Sequence, residues 1–337
     1  MPNKPPTSII IPCRNEEAYI ETCLQSVINN DYPNELTEIL VVDGMSTDTT
    51  REIVARLAQR HPNIKLIDNP HKTAPQAFNI GINASTGDYV LIIGAHSEYP
   101  GNFVSKLIEW HGKLDADNIG GVMITDVRNK NKKTEAIIAV LSNKLGVGDA
   151  SFRVGSNEVK SVDTVAYGCY RRECFDKFGL FNEQLIRNQD IEFNKRIING
   201  GGKIYLVPEI QCRYFARETY RGLAKNNYLN GLWNILTVYH TRSMGSLSPR
   251  HFIPMLFMLS LVVPALLSCL FHPLIWLSVL SLTAYLALVA GVSLSLNNKE
   301  TGFLKLVWTF IVLHFSYGMG SLAGFFKIPF KLLNLDK

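Results

Sequence analysis

The run YVLIIGAHSEYP, residues 89–100, decides how this chain folds. Its first five residues are apolar, the composition of a strand buried on both faces, and they stop at Gly94 in a short polar turn. In an open α/β sheet, ligands collect beyond the carboxyl ends of strands, so Gly94, Ala95, His96, Ser97 and Glu98 point toward a site. His96 and Glu98 stand two positions apart. If the extended backbone continues that far, both side chains leave one face and could share a ligand or an ion.

Working outward, residues 8–13 (SIIIPC) and 38–43 (EILVVD) are two more buried-type strands. Asn15 opens a helical pattern with Glu16 and Glu17 in its first turn, where carboxylates favour a helix start. Ser46 or Thr47 is placed to cap the helix that continues through Ile53, Val54 and Leu57. Residues 64–67 add a strand and 74–84 a helix. Strands alternating with helices predict βαβ units and a mainly parallel sheet. Farther on, residues 118–125 read as a strand, 134–145 as a helix and 146–157 as a mobile loop. A helix starting near Asn188 ends in Gly200, Gly201 and Gly202, which suit a C-terminal cap. Residues 203–207 read as a last short strand, and 216–239 as an amphipathic helix rich in aromatics.

Polarity is unevenly spread over the 337 residues. Residues 252–271 and 274–296 carry no charge, and each approaches or exceeds the roughly 20 residues that cross a bilayer. Residues 303–326 hold Lys305 near one end and the small residues Gly318, Gly320, Ser321, Ala323 and Gly324, which suit close helix packing; this segment either spans or re-enters. Arg242, Arg250, Lys327 and Lys331 flank the apolar stretches, as expected near anionic headgroups on the cytoplasmic side. The apolar run after Thr7 is too short for a signal-peptide core, which keeps the first domain in the cytosol. A formal charge of +5 without a long Lys/Arg tract speaks against nucleic acid as a partner. The six cysteines show no zinc-site spacing and read as free thiols.

The motifs fall in a telling order: PCRNEE at 12–17, VDGMSTD at 42–48, GAHSEYP at 94–100, VDTVAYGCYRRECF from 162, GLFNE from 179 and RNQDIEFNKRI from 187. Together they resemble the family 2 glycosyltransferases of GT-A fold, and most of all the succinoglycan-type branch of membrane-anchored sugar transferases in exopolysaccharide assembly. The resemblance spans about residues 7–239 and implies a Rossmann-like GT-A domain over 1–240, an interfacial helical segment over 215–250 and a membrane domain over 251–337.

By position, the resemblance implies that Pro12, Arg14 and Glu16 line the base and ribose pocket and that Asp43 binds the base or ribose. A carboxylate at a strand end can accept two hydrogen bonds, which suits a uracil edge or a ribose diol. Lys72 can reach a diphosphate as a point charge. The family's Asp-x-Asp pair, which contacts ribose and holds a divalent metal, falls on Gly94-Ala95-His96 here. Two carboxylates have become none. His96 with Glu98 or water could still hold Mn²⁺ or Mg²⁺, with imidazole shifting preference toward Mn²⁺. Asp190, in Asn188-Gln189-Asp190, falls on the family's catalytic aspartate and is the candidate general base. Tyr167 and Gly168 are expected to floor the sugar site, and Gln189 and Arg217 to serve sugar and acceptor. No Gln-x-x-Arg-Trp signature of processive synthases follows Pro208, which favours single sugar addition.

The expected reaction is inverting transfer of a hexose from a nucleotide diphosphate, UDP first, to a lipid-linked (polyprenyl-diphosphate) saccharide at the cytosolic face of the inner membrane, with membrane lipids as further partners. Gly94 motivates the alternative of a non-catalytic nucleotide-sugar-binding scaffold of a polysaccharide assembly complex. A transporter is disfavoured, because no Asp, Glu or Arg lies within the two charge-free stretches.

Overall fold

Ile9 and Ile11 feed one hydrophobic core and Ile10 feeds another, because successive side chains of a strand leave opposite faces of the sheet. The computed structural model describes residues 4–333. Its central sheet contains, among the described residues, nine strands: β1 (Thr7–Cys13), β2 (Thr37–Asp43), β3 (Ile64–Asp68), β4 (Tyr89–Ile92), β5 (Ser97–Glu98), β6 (Asn118–Asp126), β7 (Lys160–Ser161), β8 (Ala166–Arg171) and β9 (Ile204–Phe215). The order is β3-β2-β1-β4-β8-β6-β9-β5, with β7 on β9. The first four strands are parallel, with Cys13, Asp43 and Asp68 in register at their carboxyl ends. From β8 on, the recorded pairings are antiparallel, so the sheet is mixed rather than mainly parallel.

The helices are α1 (Ile20–Ile28), α2 (Thr50–Arg60), α3 (Ala74–Ala84), α4 (Phe103–Lys113), α5 (Lys132–Leu141), α6 (Lys144–Val147), α7 (Ser151–Val154), α8 (Glu173–Phe178), α9 (Gln189–Asn199), α10 (Tyr220–Thr241), α11 (Ile253–Leu267), α12 (Ile275–Leu296) and α13 (Phe303–Leu333). On one face of the sheet, Val54 and Leu57 of α2, Leu24 of α1 and Leu107 of α4 pack on Ile9, Val41 and Leu91. On the other, Phe78 and Ile82 of α3, Phe175 of α8 and Phe193 and Ile197 of α9 cover Ile10, Val42 and Val90. Each such aliphatic side chain is worth roughly 1.5–3 kcal/mol when fully buried.

Two compact units result: residues 1–124 with 150–215, and residues 125–149 with 216–337. The division differs from the expected 1–240 and 251–337. In the second unit Ala136 and Val140 of α5 pack with Leu306, Phe310 and Leu313 of α13 and Val289 of α12. On α10 the residues Leu232 to Thr237 are all buried, so this part of the helix is enclosed, while its first half buries Leu223 and Asn227 and exposes Arg221 and Lys225. Its Gly231 lies against Tyr317 and Ser321 of α13, while Gly320 lies against Tyr228, the close backbone approach that small residues permit.

Among the described residues three helices are long and apolar enough to cross a membrane: Pro249–Leu267, His272–Leu296 and Phe303–Ile328. The third lies within one helix, α13. The side chain of Lys331 lies outside the described residues. Residues 146–157 are not a plain loop, since the end of α6 and all of α7 occupy half of them. The strand expected at 203–207 continues to Phe215, because past Pro208 the buried Ile210 and Cys212 alternate with exposed Gln211 and Arg213. All six cysteines are free, five of them buried.

Candidate active site

The site is built at the carboxyl edge of the parallel strands. Asp43 ends β2 and is fully buried. The Ser46 amide donates to its Oδ2 at 2.9 Å, the Ser46 hydroxyl to its Oδ1 at 2.5 Å, and Arg51 Nη1 to Oδ2 at 2.7 Å. Burial alone would push this carboxyl up; the Ser46 bonds and Arg51 outweigh it, and the group is held below the usual carboxylate range. Arg51 Nη2 reaches Asp68 Oδ1 at 2.8 Å, so one guanidinium ties the ends of β2 and β3. Ser46 therefore serves Asp43 and caps no helix; α2 begins later, with Thr50 N donating to Asp48 Oδ1 at 3.0 Å.

The helix expected from Asn15 begins at Ile20, and Glu16 and Glu17 precede it. Asn15 adopts a left-handed backbone (φ 55°), and the amides that would start a helix are spent across the loop. Asn15 N donates to Ser46 Oγ at 2.8 Å, Glu16 N to Thr50 Oγ1 at 2.8 Å, and Asn15 Oδ1 accepts from Thr47 N at 2.9 Å. Arg14 is exposed, with its stem against Gly44. Pro12 is half-buried at the end of β1, and Lys72 is exposed in the turn after β3 (φ 65°).

At β4 the strand ends at Ile92 and the backbone turns at Ala95 and His96, so the alternation that would have aligned His96 with Glu98 is broken. The expected His96–Glu98 ion pair of ligands is not assembled. His96 Nδ1 lies 3.3 Å from Glu16 Oε1, and its ring sits between Tyr19 (6.1 Å) and Tyr214 (5.4 Å). Glu98 instead accepts from Arg213 Nη1 at 2.8 Å, its cross-strand neighbour on β9. Ala95 is buried. Gly94 meets Tyr167: a Cβ at 94 would lie 2.6 Å from Tyr167 Oη. That hydroxyl shares a 2.7 Å hydrogen bond with Ser97 Oγ. Tyr167 thus fills the space that a side chain at 94 would take. Among the described residues no three His, Cys, Asp or Glu side chains gather to hold a metal ion. His96 Nδ1 and Glu16 Oε1 leave one nitrogen and one carboxylate at the turn, so Mn²⁺ or Mg²⁺ would depend on the nucleotide's own phosphates for most of its ligands.

Asn188 precedes α9 in a left-handed conformation (φ 62°), which swings Gln189 and Asp190 into the helix's first turn. Asp190 is half-buried, and burial holds its carboxyl above the usual range against the opposing pull of the Ile191 and Asp190 amides and of Arg153. Gln189 Oε1 is buried without a hydrogen-bond partner. Such an orphan costs about 1–3 kcal/mol in the absence of a ligand. Glu192 is turned away to Arg196 (2.8 and 3.0 Å), whose Nη1 also donates to Leu180 O at 2.9 Å. Beneath α9, Phe175 and Phe193 stack at 5.6 Å. Gly168 is buried in β8 beside Asn118. Arg217 is exposed and belongs to the second unit.

Sequence reasoning missed Arg153, on α7 in the stretch read as a loop. Its guanidinium carbon lies 5.2 Å from the Tyr214 ring centre and 5.6 Å from that of Phe152, and its Nη1 is buried without a hydrogen-bond partner. Tyr19 and Tyr214, which hold the His96 ring, were missed too. An isolated Arg or Tyr carries no spacing signal, so nothing in the sequence marked them.

The model of glycosyl transferase family 2 matches residues 8–178, half of the chain. The chain belongs to this family. The transferase is 34% identical over 232 residues to the dolichyl N-acetyl-alpha-D-glucosaminyl phosphate 3-beta-D-2,3-diacetamido-2,3-dideoxy-beta-D-glucuronosyltransferase of Methanococcus voltae, covering 66% of this chain and 71% of that one. It is 29% identical to the succinoglycan biosynthesis protein ExoA of Rhizobium meliloti (strain 1021), over 62% of this chain and 63% of that one. Among solved structures it resembles the mannosyltransferase PcManGT from Pyrobaculum calidifontis in complex with GDP-Man and Mn²⁺, with a TM-score of 0.62 at 18% identity over 97% of the transferase and 89% of that chain. That likeness establishes the GT-A fold, and the transferase is a glycosyltransferase of that fold.

Proposed function

We propose that the transferase moves a hexose from a nucleoside diphosphate, UDP foremost, to a hydroxyl of a lipid-linked saccharide, inverting the anomeric centre, in exopolysaccharide or cell-surface glycan assembly. The observation that carries this reading is Asp190: a half-buried carboxylate with a raised pKa in the first turn of α9, beside the unpartnered acceptor Gln189 Oε1. A general base works best when its pKa is drawn toward the operating pH. Asp190 takes the proton of the acceptor hydroxyl as the acceptor oxygen bonds to the anomeric carbon. The bond from that carbon to the diphosphate oxygen breaks with its electron pair, and the nucleoside diphosphate leaves. Gln189 Oε1 accepts from a sugar hydroxyl.

On the donor side, Arg14, Glu16 and Lys72 make direct contacts and Pro12 lines the pocket. Asp43, with both oxygens engaged, acts by holding the Ser46 turn. Ala95 and Gly94 supply backbone at the end of β4, and Tyr167 bounds the sugar. We place the chain in the cytoplasmic membrane as a multi-pass protein with its glycosyltransferase domain cytosolic; support comes from the three apolar helices among the described residues and from Arg242 and Arg250 at the start of the first. Arg217 is assigned to the acceptor. The scaffold reading rests on Gly94 alone. Donor turnover that disappears in Asp190→Asn while UDP binding persists supports the enzyme; UDP binding with no turnover by wild-type protein on any lipid-linked acceptor supports the scaffold.

A further inference from the structure

Arg153 is half-buried on a short helix, and its Nη1, shielded from water, donates no hydrogen bond. Its position is fixed by aromatic faces rather than by a carboxylate: Tyr214 at 5.2 Å and Phe152 at 5.6 Å. Tyr214 also packs on His96, at 5.4 Å, so one ring lies between the arginine and the turn at the end of β4. The charge of Arg153 is felt by both Tyr167 and Asp190, the residue that fills the space beside Gly94 and the candidate base. A cation is therefore held one ring away from the turn that ends β4, where Gly94 brings no carboxylate and Glu16 is drawn to His96.

We infer that Arg153 receives the diphosphate of the nucleotide sugar, its half-exposed guanidinium donating to phosphate oxygens, and so neutralises the leaving group in place of an Asp-x-Asp-bound metal ion. The inference rests on the proposed transferase reading. A guanidinium suits the task because its planar fork matches two phosphate oxygens and stays charged at any working pH. As the bond from the anomeric carbon to the diphosphate oxygen breaks, the electron pair settles on that oxygen within reach of the guanidinium. Arg153 neither gives nor takes a proton; the acceptor's proton is accounted for at Asp190.

The test is calorimetric binding of UDP and UMP to the purified full chain in detergent, in EDTA and again with Mn²⁺, for wild type, Arg153→Ala and Arg153→Lys. The expected result is a UDP preference over UMP of at least about tenfold in EDTA, erased in Arg153→Ala and partly restored in Arg153→Lys, with UMP affinity equal in all three as proof of an intact pocket. A preference that survives Arg153→Ala, or one that exists in wild type only with Mn²⁺, overturns the inference and leaves the transferase reading standing. Wild-type protein that binds neither UDP nor UMP under either condition overturns both. If Arg153→Ala does not fold, Arg153→Gln replaces it, and a retained UDP preference there is equally fatal.

Discussion

Gly94 and Tyr167 contend for one volume, since a side chain at 94 would begin 2.6 Å from the Tyr167 hydroxyl. Tyr167 itself sits at φ 52°, and its hydroxyl is bonded to Ser97. The glycine that breaks the family's Asp-x-Asp pair is thus one half of a packing arrangement whose other half comes from β8.

Restoring the aspartate alone should fail. Gly94→Asp must displace the Tyr167 ring, and overpacking of this kind costs roughly 1–3 kcal/mol. Thermal melting should show a lowered Tm for Gly94→Asp and a smaller loss when the same change is made in Tyr167→Ala; additive losses would mean that the two side chains do not compete.

The acid limb of the rate profile should report Asp190. Because burial raises this carboxyl above its ordinary value, kcat/KM should begin to fall at a pH higher than an exposed aspartate would give. Asp190→Asn should reduce turnover by roughly 10²- to 10⁴-fold and remove that limb, with UDP affinity unchanged.

Arg51 should matter to stability more than its surface position suggests. It is one-third exposed, yet it pairs with a carboxylate that is fully buried. Arg51→Ala leaves Asp43 short of a partner and should cost about 1–3 kcal/mol, less than a fully enclosed pair because water reaches the guanidinium. The pH sign follows from the lowered pKa of Asp43: its contribution is present above the ordinary carboxylate value near 3.9 and fades as pH falls through the lower folded value. Melting of wild type and Arg51→Ala at neutral and acid pH checks both points, and equal Tm values at neutral pH would refute the pairing.

His111 supplies an acid sensitivity at higher pH. It is buried, shares a 2.8 Å hydrogen bond with the Cys169 carbonyl through Nε2, and is pushed down to about 4 by burial. A histidine with a depressed folded pKa stabilises the fold above its unfolded value near 6.5 and loses that contribution as pH falls from about 6.5 to about 4. The loss should reach about 3 kcal/mol, and the slope of Tm against pH in this window should flatten in His111→Gln. An unchanged slope would assign the sensitivity to other groups.

What was readable beforehand follows from range in sequence. The strands of β1, β2 and β4 announce themselves because both faces are buried and the runs are uninterrupted, and their ends mark Asp43 and His96 without further information. The late start of α1 was not readable, since Asn15 and Glu16 spend their amides on Ser46 and Thr50, more than thirty residues away. The same holds for His96: adjacency to Glu98 in sequence gave way to Glu16 and Tyr214, which only the turn at Ala95 brings near. Pro208 looked like a strand end, though the in-and-out alternation of Ile210 to Arg213 was there to be read. Arg153 had no local signal at all, because its meaning lies in the rings it rests on.

The most direct test of the central claim is transfer of labelled hexose from UDP-hexose to lipid-linked acceptors by the purified chain, wild type beside Asp190→Asn. Wild-type transfer with inverted anomeric configuration, reduced at least about a hundredfold in Asp190→Asn at unchanged UDP affinity, is the predicted result. Equal transfer by both proteins would contradict the assignment of Asp190, and UDP binding with no transfer by either would contradict the enzyme itself.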